Sequence, residues 1–120
     1  MNVLIVEDAP VRVKRLRQLV PLAHILEAAR GKQAIEILTQ HPIDLIFLDY
    51  DLTGGLTGLD VAQAIHKLRP LPTVIIHSMN IAGATRIQRF LPEAIPCPIR
   101  DIEERWKDIA AKLVMKDKPG

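Results

Sequence analysis

The sequence predicts an α/β sandwich: one parallel five-stranded sheet with helices on both faces. Short aliphatic runs alternate with amphipathic stretches along the 120 residues, as repeated strand–helix units require. The runs are apolar throughout rather than alternating, which is how strands read when helices cover both faces of a parallel sheet. Two of these runs end on acids. Val3-Leu4-Ile5-Val6 leads into Glu7-Asp8, and Leu45-Ile46-Phe47-Leu48 leads into Asp49 with Asp51 two residues on.

The expected elements follow in chain order. Residues 2–6 form the first strand. A helix then opens at Pro10, a residue tolerated in the first turn, and runs to Val20. The second strand is 23–27, and the second helix, 31–40, stops before Pro42. The third strand is 45–49, and the third helix, 59–68, stops before Pro70. The fourth strand is 73–77 and its helix 82–91. The fifth strand is 94–97. The last helix, 101–116, carries Ile102, Trp106, Ile109 and Leu113 on one face, the stripe of a helix docked on a sheet. Residues 1–116 read as one domain and 117–120 as a tail.

Right-handed crossovers make these units a doubly wound, flavodoxin-like (βα)5 fold with strand order 2-1-3-4-5. Strands 1 and 3 then lie side by side, and Glu7, Asp8 and Asp49 meet at the carboxyl edge of the sheet. Clustered carboxylates repel one another unless a cation sits among them. The pattern therefore points to a divalent metal and to phosphate chemistry beside it.

Composition narrows the classes further. The chain is 48% hydrophobic but 3% aromatic, so the core is aliphatic. A formal net charge of +2 is too small to argue for nucleic acid. One cysteine excludes an intrachain disulfide and a multi-cysteine metal site. No apolar stretch approaches membrane length, and no basic segment precedes the first apolar run. A cytoplasmic protein with no membrane partner is the expectation.

"VLIVEDAPVRV" and "ILEAARGKQAIEILTQHPIDLIFLDYDL" resemble the response-regulator receiver domain over almost the whole chain. The resemblance implies that Asp49 is the phospho-acceptor. It implies Mg²⁺ held by Asp8, Asp49 and the backbone carbonyl of Asp51, with Glu7 acting through a water. Ser78 matches the switch hydroxyl that contacts the phosphoryl group. Implied partners are a histidine kinase or phosphotransfer protein and a separate output protein.

The sequence departs from that family in several places. Cys97, followed by Pro98, stands where the family has a lysine, and a thiol cannot supply that charge. A cis Cys97–Pro98 bond is the expectation, because the X-Pro amide lowers the cost of cis. Ala94 stands near the family's switch aromatic. Arg12, one turn into a basic first helix, is a candidate to replace the lysine, with Arg86 as a second. "DYDL" with "IIHSMN" also resembles a divergent receiver subgroup proposed to process cyclic phosphates, which would give His77 and Asn80 chemical roles. Tyr50 stands where that subgroup often has histidine.

Each residue has a plainer reading. Neighbouring side chains on a strand face opposite ways, which favours a structural His77 bonded to backbone over an acid or base. Asn80 can open the next helix. Glu7 and Asp8 can cap the first one. Gly54, Gly55 and Gly58 read as turn formers. Three functions stay open: a phosphoryl-accepting receiver, a metal-dependent enzyme of cyclic phosphates or phosphoesters, and a receiver fold used only for binding.

Overall fold

The computed structural model describes the backbone of residues 1–117 and the side chains of residues 1–113. Five parallel strands form one sheet in the order β2-β1-β3-β4-β5, as expected. They are β1 (Asn2–Val6), β2 (His24–Ala28), β3 (Leu45–Leu48), β4 (Thr73–Ile76) and β5 (Ile95–Pro96). The helices are α1 (Pro10–Leu19), α2 (Gly31–Gln40), α3 (Gly58–His66), α4 (Ile81–Phe90) and α5 (Ile102–Asp117), the last entered through a 3-10 turn at Ile99–Asp101. The expected tail begins at Asp117, which instead ends α5, and residues 118–120 lie outside the described residues.

The pleat of each strand sorts its side chains between two cores. Leu4, Val6, Ile46, Leu48, Val74 and Ile76 face one side, packed by α2, α3 and α4. Val3, Ile5, Leu45, Phe47 and Ile75 face the other, under α1 and α5. The stripe on α5 docks as expected. Ile102 and Ile109 are buried, Trp106 and Leu113 pack at the edge of the same cluster, and the Trp106 ring lies 5.7 Å from that of Phe47.

Several element ends differ from expectation, and two differences matter. β3 stops at Leu48 and β4 at Ile76, so Asp49, His77 and Ser78 stand just past the strands. Backbone bonds still hold them in register: the N–H of Asp49 donates to Val6 O (3.1 Å) and that of His77 to Leu48 O (3.1 Å). The Cys97–Pro98 bond is not cis; among the described residues that geometry belongs to Arg69–Pro70. Ala94 lines an apolar recess of about 240 Å³ with Ile65, Leu91 and Leu113.

Candidate functional site

The register of β1 on β3 pairs Val6 with Leu48, so the residues that follow both strands emerge side by side. Glu7 and Asp49 are buried there, with 2% and 3% of their surface exposed. A fully buried His77 joins them from the end of β4. One ligand atom from each of Glu7, Asp49 and His77 lies within 4.8 Å of the other two. Asp8 does not join this cluster. It is exposed and accepts a hydrogen bond from the Thr53 hydroxyl at 2.8 Å. Glu7, rather than Asp8, is thus the carboxylate packed beside Asp49 and His77.

His77 corrects the sequence reading. With the strand ended at Ile76, alternation no longer turns one of His77 and Ser78 away. The imidazole Nε2 sits 2.9 Å from Glu7 Oε1, and Nδ1 is buried without a hydrogen-bond partner. The Glu7 carboxyl also accepts from the Ala9 N–H at 3.0 Å. Burial opposes ionisation of Glu7, but His77, the Ala9 N–H and the Arg12 charge outweigh it and hold the carboxyl below its usual range. An ionised Glu7 can only accept, so Nε2 carries the proton in this contact. Glu7 does its bonding inside the pocket, and the α1 cap position is Ala9, with no side-chain capping bond.

Asp49 behaves in the opposite way. Burial, and after it the neighbouring Glu7 charge, push its carboxyl above the ordinary range, although His77, the Ser78 hydroxyl and the Tyr50 N–H (2.8 Å to Oδ1) pull against them. A buried carboxylate held with an unfavourable charge is a group prepared for a positive partner or for loss of its charge by reaction.

Arg12 Nη1 reaches 3.8 Å from Glu7 Oε1 and 3.9 Å from Asp49 Oδ2, with 41% of its side chain exposed. It is the guanidinium at the mouth of the pocket. Arg86 is not a second one, because its Nη1 donates to the Tyr50 hydroxyl at 3.1 Å. Cys97 is fully buried in the α1/α5-side core, and burial pushes its thiol up, which keeps it neutral.

The surrounding loops are tied to one another. Asn80 does what its plainer reading says: it caps α4 by accepting from the Gly83 N–H at 2.9 Å. It also donates to Asp51 at 3.3 Å, which joins the loops after β3 and β4. The Ser78 hydroxyl accepts from the Asn80 N–H at 3.1 Å. Gly54 and Gly55 have φ of +96° and +94°, true turn positions. Gly58 is different. It opens α3 with its N–H bonded to Tyr50 O at 2.8 Å, and a Cβ there would lie 2.2 Å from Asp49 O. Gly83 presses on the Tyr50 ring just as closely, with 2.2 Å from a would-be Cβ to the nearest ring atom. The sequence reading missed Thr53 and Thr57. Thr57 forms a capping box with Asp60, and the Thr-x-x-Asp spacing before an apolar run was its available signal.

Comparison with known proteins agrees with this geometry. The family profile of the response regulator receiver domain matches residues 3–94. The chain belongs to the response regulator receiver family. Among curated relatives, it is 34% identical over 88 residues to protein-glutamate methylesterase/protein-glutamine glutaminase 1 of Saccharophagus degradans, covering 70% of this chain and 24% of that protein. This receiver spans less than half the length of the curated relatives it matches. Among solved structures, the response regulatory domain of mrkE from Klebsiella pneumoniae superposes with a TM-score of 0.78 at 20% identity, over 96% of this chain and 99% of that one. TrrA of Thermotoga maritima, solved in complex with Mg²⁺ and BeF, gives 0.74 at 23% identity, over 93% and 97%. At these identities the structures share the fold. The membership makes this a receiver of two-component signalling. No helix among the described residues is long and apolar enough to cross a membrane.

Proposed function

We propose that this receiver accepts a phosphoryl group on Asp49 from a phosphorylated histidine of a kinase or phosphotransfer protein. The observation that carries this reading is the state of Asp49: buried beside Glu7 and His77 at the rim of the sheet, with its charge disfavoured. An Asp49 oxygen attacks phosphorus, the P–N bond of the donor breaks, and the imidazole leaves with the electron pair. Ser78 then contacts the phosphoryl group. Asn80 and Asp51, bonded to each other, carry the change into α4, whose surface would signal to an output protein or domain.

The pocket fits a divalent ion. Two buried carboxylates with Asp8 at the rim form a mainly oxygen donor set, which suits Mg²⁺ with several waters retained. Asp49 and Asp8, with the Asp51 carbonyl and Glu7 through a water, would hold it. When bound, the ion supplies positive charge against the phosphoryl oxygens.

Cyclic-phosphate chemistry is the second reading, and it draws on His77 lying in the pocket. That imidazole has no exposed surface and its Nε2 is engaged by Glu7, so it is poorly placed to serve a substrate as acid or base. This favours the acceptor reading. Intact-protein mass spectrometry after incubation with acetyl phosphate and Mg²⁺ tests it. The expected result is one phosphoryl adduct on the wild type and none on Asp49→Asn. No adduct on the wild type would overturn the reading and turn attention to cyclic nucleotides or to a binding-only role.

A further inference from the structure

We propose that Arg12 supplies the cation missing from β5, gripping the phosphoryl group on Asp49 from the solvent side. This rests on the acceptor reading above.

The position at which receivers carry lysine holds Cys97 here, neutral and buried in the apolar core. The charge must come from elsewhere. Among the described residues, Arg12 is the Lys or Arg with ion pairs to the pocket carboxylates. Its neighbours on α1 are committed: Arg15 to Glu103 at 2.7 Å and Arg17 to Glu27. Lys14 lines a cleft of about 500 Å³ that Glu7 and Asp8 also line, but among the described residues it forms no ion pair with either carboxylate.

The geometry of Arg12 suits an incoming oxyanion. Its contacts with Glu7 and Asp49 are long, at 3.8 and 3.9 Å, and its side chain makes no hydrogen bond among the described residues. The guanidinium is therefore near both carboxylates while its donors remain available. Two parallel N–H groups match two phosphoryl oxygens, which a lysine ammonium cannot do. The carboxylates are buried and Arg12 is partly exposed, so the donor approaches from the side that Arg12 occupies. Arg12 also comes from a different element than the lysine it replaces. The grip would act on α1 and not on β5.

The test uses beryllofluoride, which mimics a bound phosphoryl group, followed by ¹⁹F NMR, together with acetyl phosphate labelling and Mg²⁺ titration. Wild type, Arg12→Gln, Arg12→Lys and Arg12→Gln/Cys97→Lys are compared. Arg12→Gln is expected to slow labelling by at least about 10-fold and to weaken the beryllofluoride adduct, while Mg²⁺ binds as tightly or more tightly because a competing cation is gone. Arg12→Lys should restore part of the loss. Cys97→Lys in the Arg12→Gln background should do the same if that protein folds. Labelling of Arg12→Gln at the wild-type rate, with Asp49→Asn silent, would overturn the role of Arg12 and leave the proposed function standing. Equal weakening of Mg²⁺ and beryllofluoride would also overturn it, because a merely structural loss does that. No adduct of either kind on the wild type would remove the proposed function and this inference together.

Discussion

At the scale of single residues, Glu7 and Asp49 are adjacent acids with opposite tendencies, and their pH dependence separates them. The Glu7 carboxyl titrates below its ordinary 4.5, so its contribution to stability is present above that pH and lost as pH falls through the folded value. The Asp49 carboxyl titrates above its ordinary 3.8 because burial disfavours the charge. Its stabilising contribution is complete below 3.8 and lost as pH rises through the folded value. Asp49→Asn should therefore be more stable than wild type at neutral pH, by about 1 kcal/mol. The gain should shrink toward pH 3.8, measured by urea unfolding across that range. A variant no more stable than wild type at pH 7 would show that Asp49 carries no such cost. His77→Ala leaves the Glu7 charge buried with one partner fewer and should cost about 3 kcal/mol. A double-mutant cycle with Glu7→Gln should recover most of this, and additive losses would deny the coupling.

These residues were unequally legible. Glu7, Asp49 and Ser78 could be found because strand ends and family spacing mark them. His77 reads from sequence as either a chemical or a structural residue, and its contact with Glu7 is decided by where β4 ends, which the apolar run does not mark. Asp8 follows Glu7 directly in the sequence, but the turn after β1 carries it to the rim of the pocket, where it bonds Thr53. Side-chain direction just past a strand is decided by the turn, which periodicity does not report.

At the scale of elements, α3 is the piece that seats the acceptor. Its first residue, Gly58, has no room for a Cβ beside the Asp49 carbonyl. The obstacle is backbone, so neither partner can rotate away. Gly58→Ala should lose about 2 kcal/mol or more and should reduce acetyl phosphate labelling by displacing Asp49. Labelling and stability equal to wild type would show that the loop yields freely. Thr57→Ala removes the capping box and should cost about 1 kcal/mol with little effect on labelling, which separates helix stability from acceptor placement. The existence and order of the elements were legible from periodicity and from Pro10, Pro42 and Pro70. Their ends were less so. The close approach of Gly58 is a tertiary fact, and in the sequence it looks like any turn glycine.

At the scale of the whole molecule, two aliphatic cores separated by one sheet leave the carboxyl edge as the place where polar groups can be buried together. Glu7, Asp49, His77 and Ser78, the buried polar side chains of the described residues, all lie there. A ligand that relieves the repulsion among them stabilises the native state alone. Mg²⁺ at a hundred times its Kd should therefore add about 2.7 kcal/mol, read as a rise in the thermal midpoint. Asp49→Asn should reduce that rise, and an unchanged magnesium response would remove Asp49 from the metal site. The strand order was fully legible, because right-handed crossovers and all-apolar strands leave few alternatives. The chemistry of the edge was legible only in outline. Which cation faces which acid depends on long side chains whose reach the sequence does not state.

The contact of Gly83 with the Tyr50 ring has a hereditary consequence. The two positions are thirty-three apart in the chain and share one space, so neither can change size alone without cost. Across descendants of this sequence, a side chain at 83 should arrive only with a smaller residue at 50, and a ring at 50 should persist only over glycine. The two sites behave as a single inherited character, which ties the residue after Asp49 to the first turn of α4.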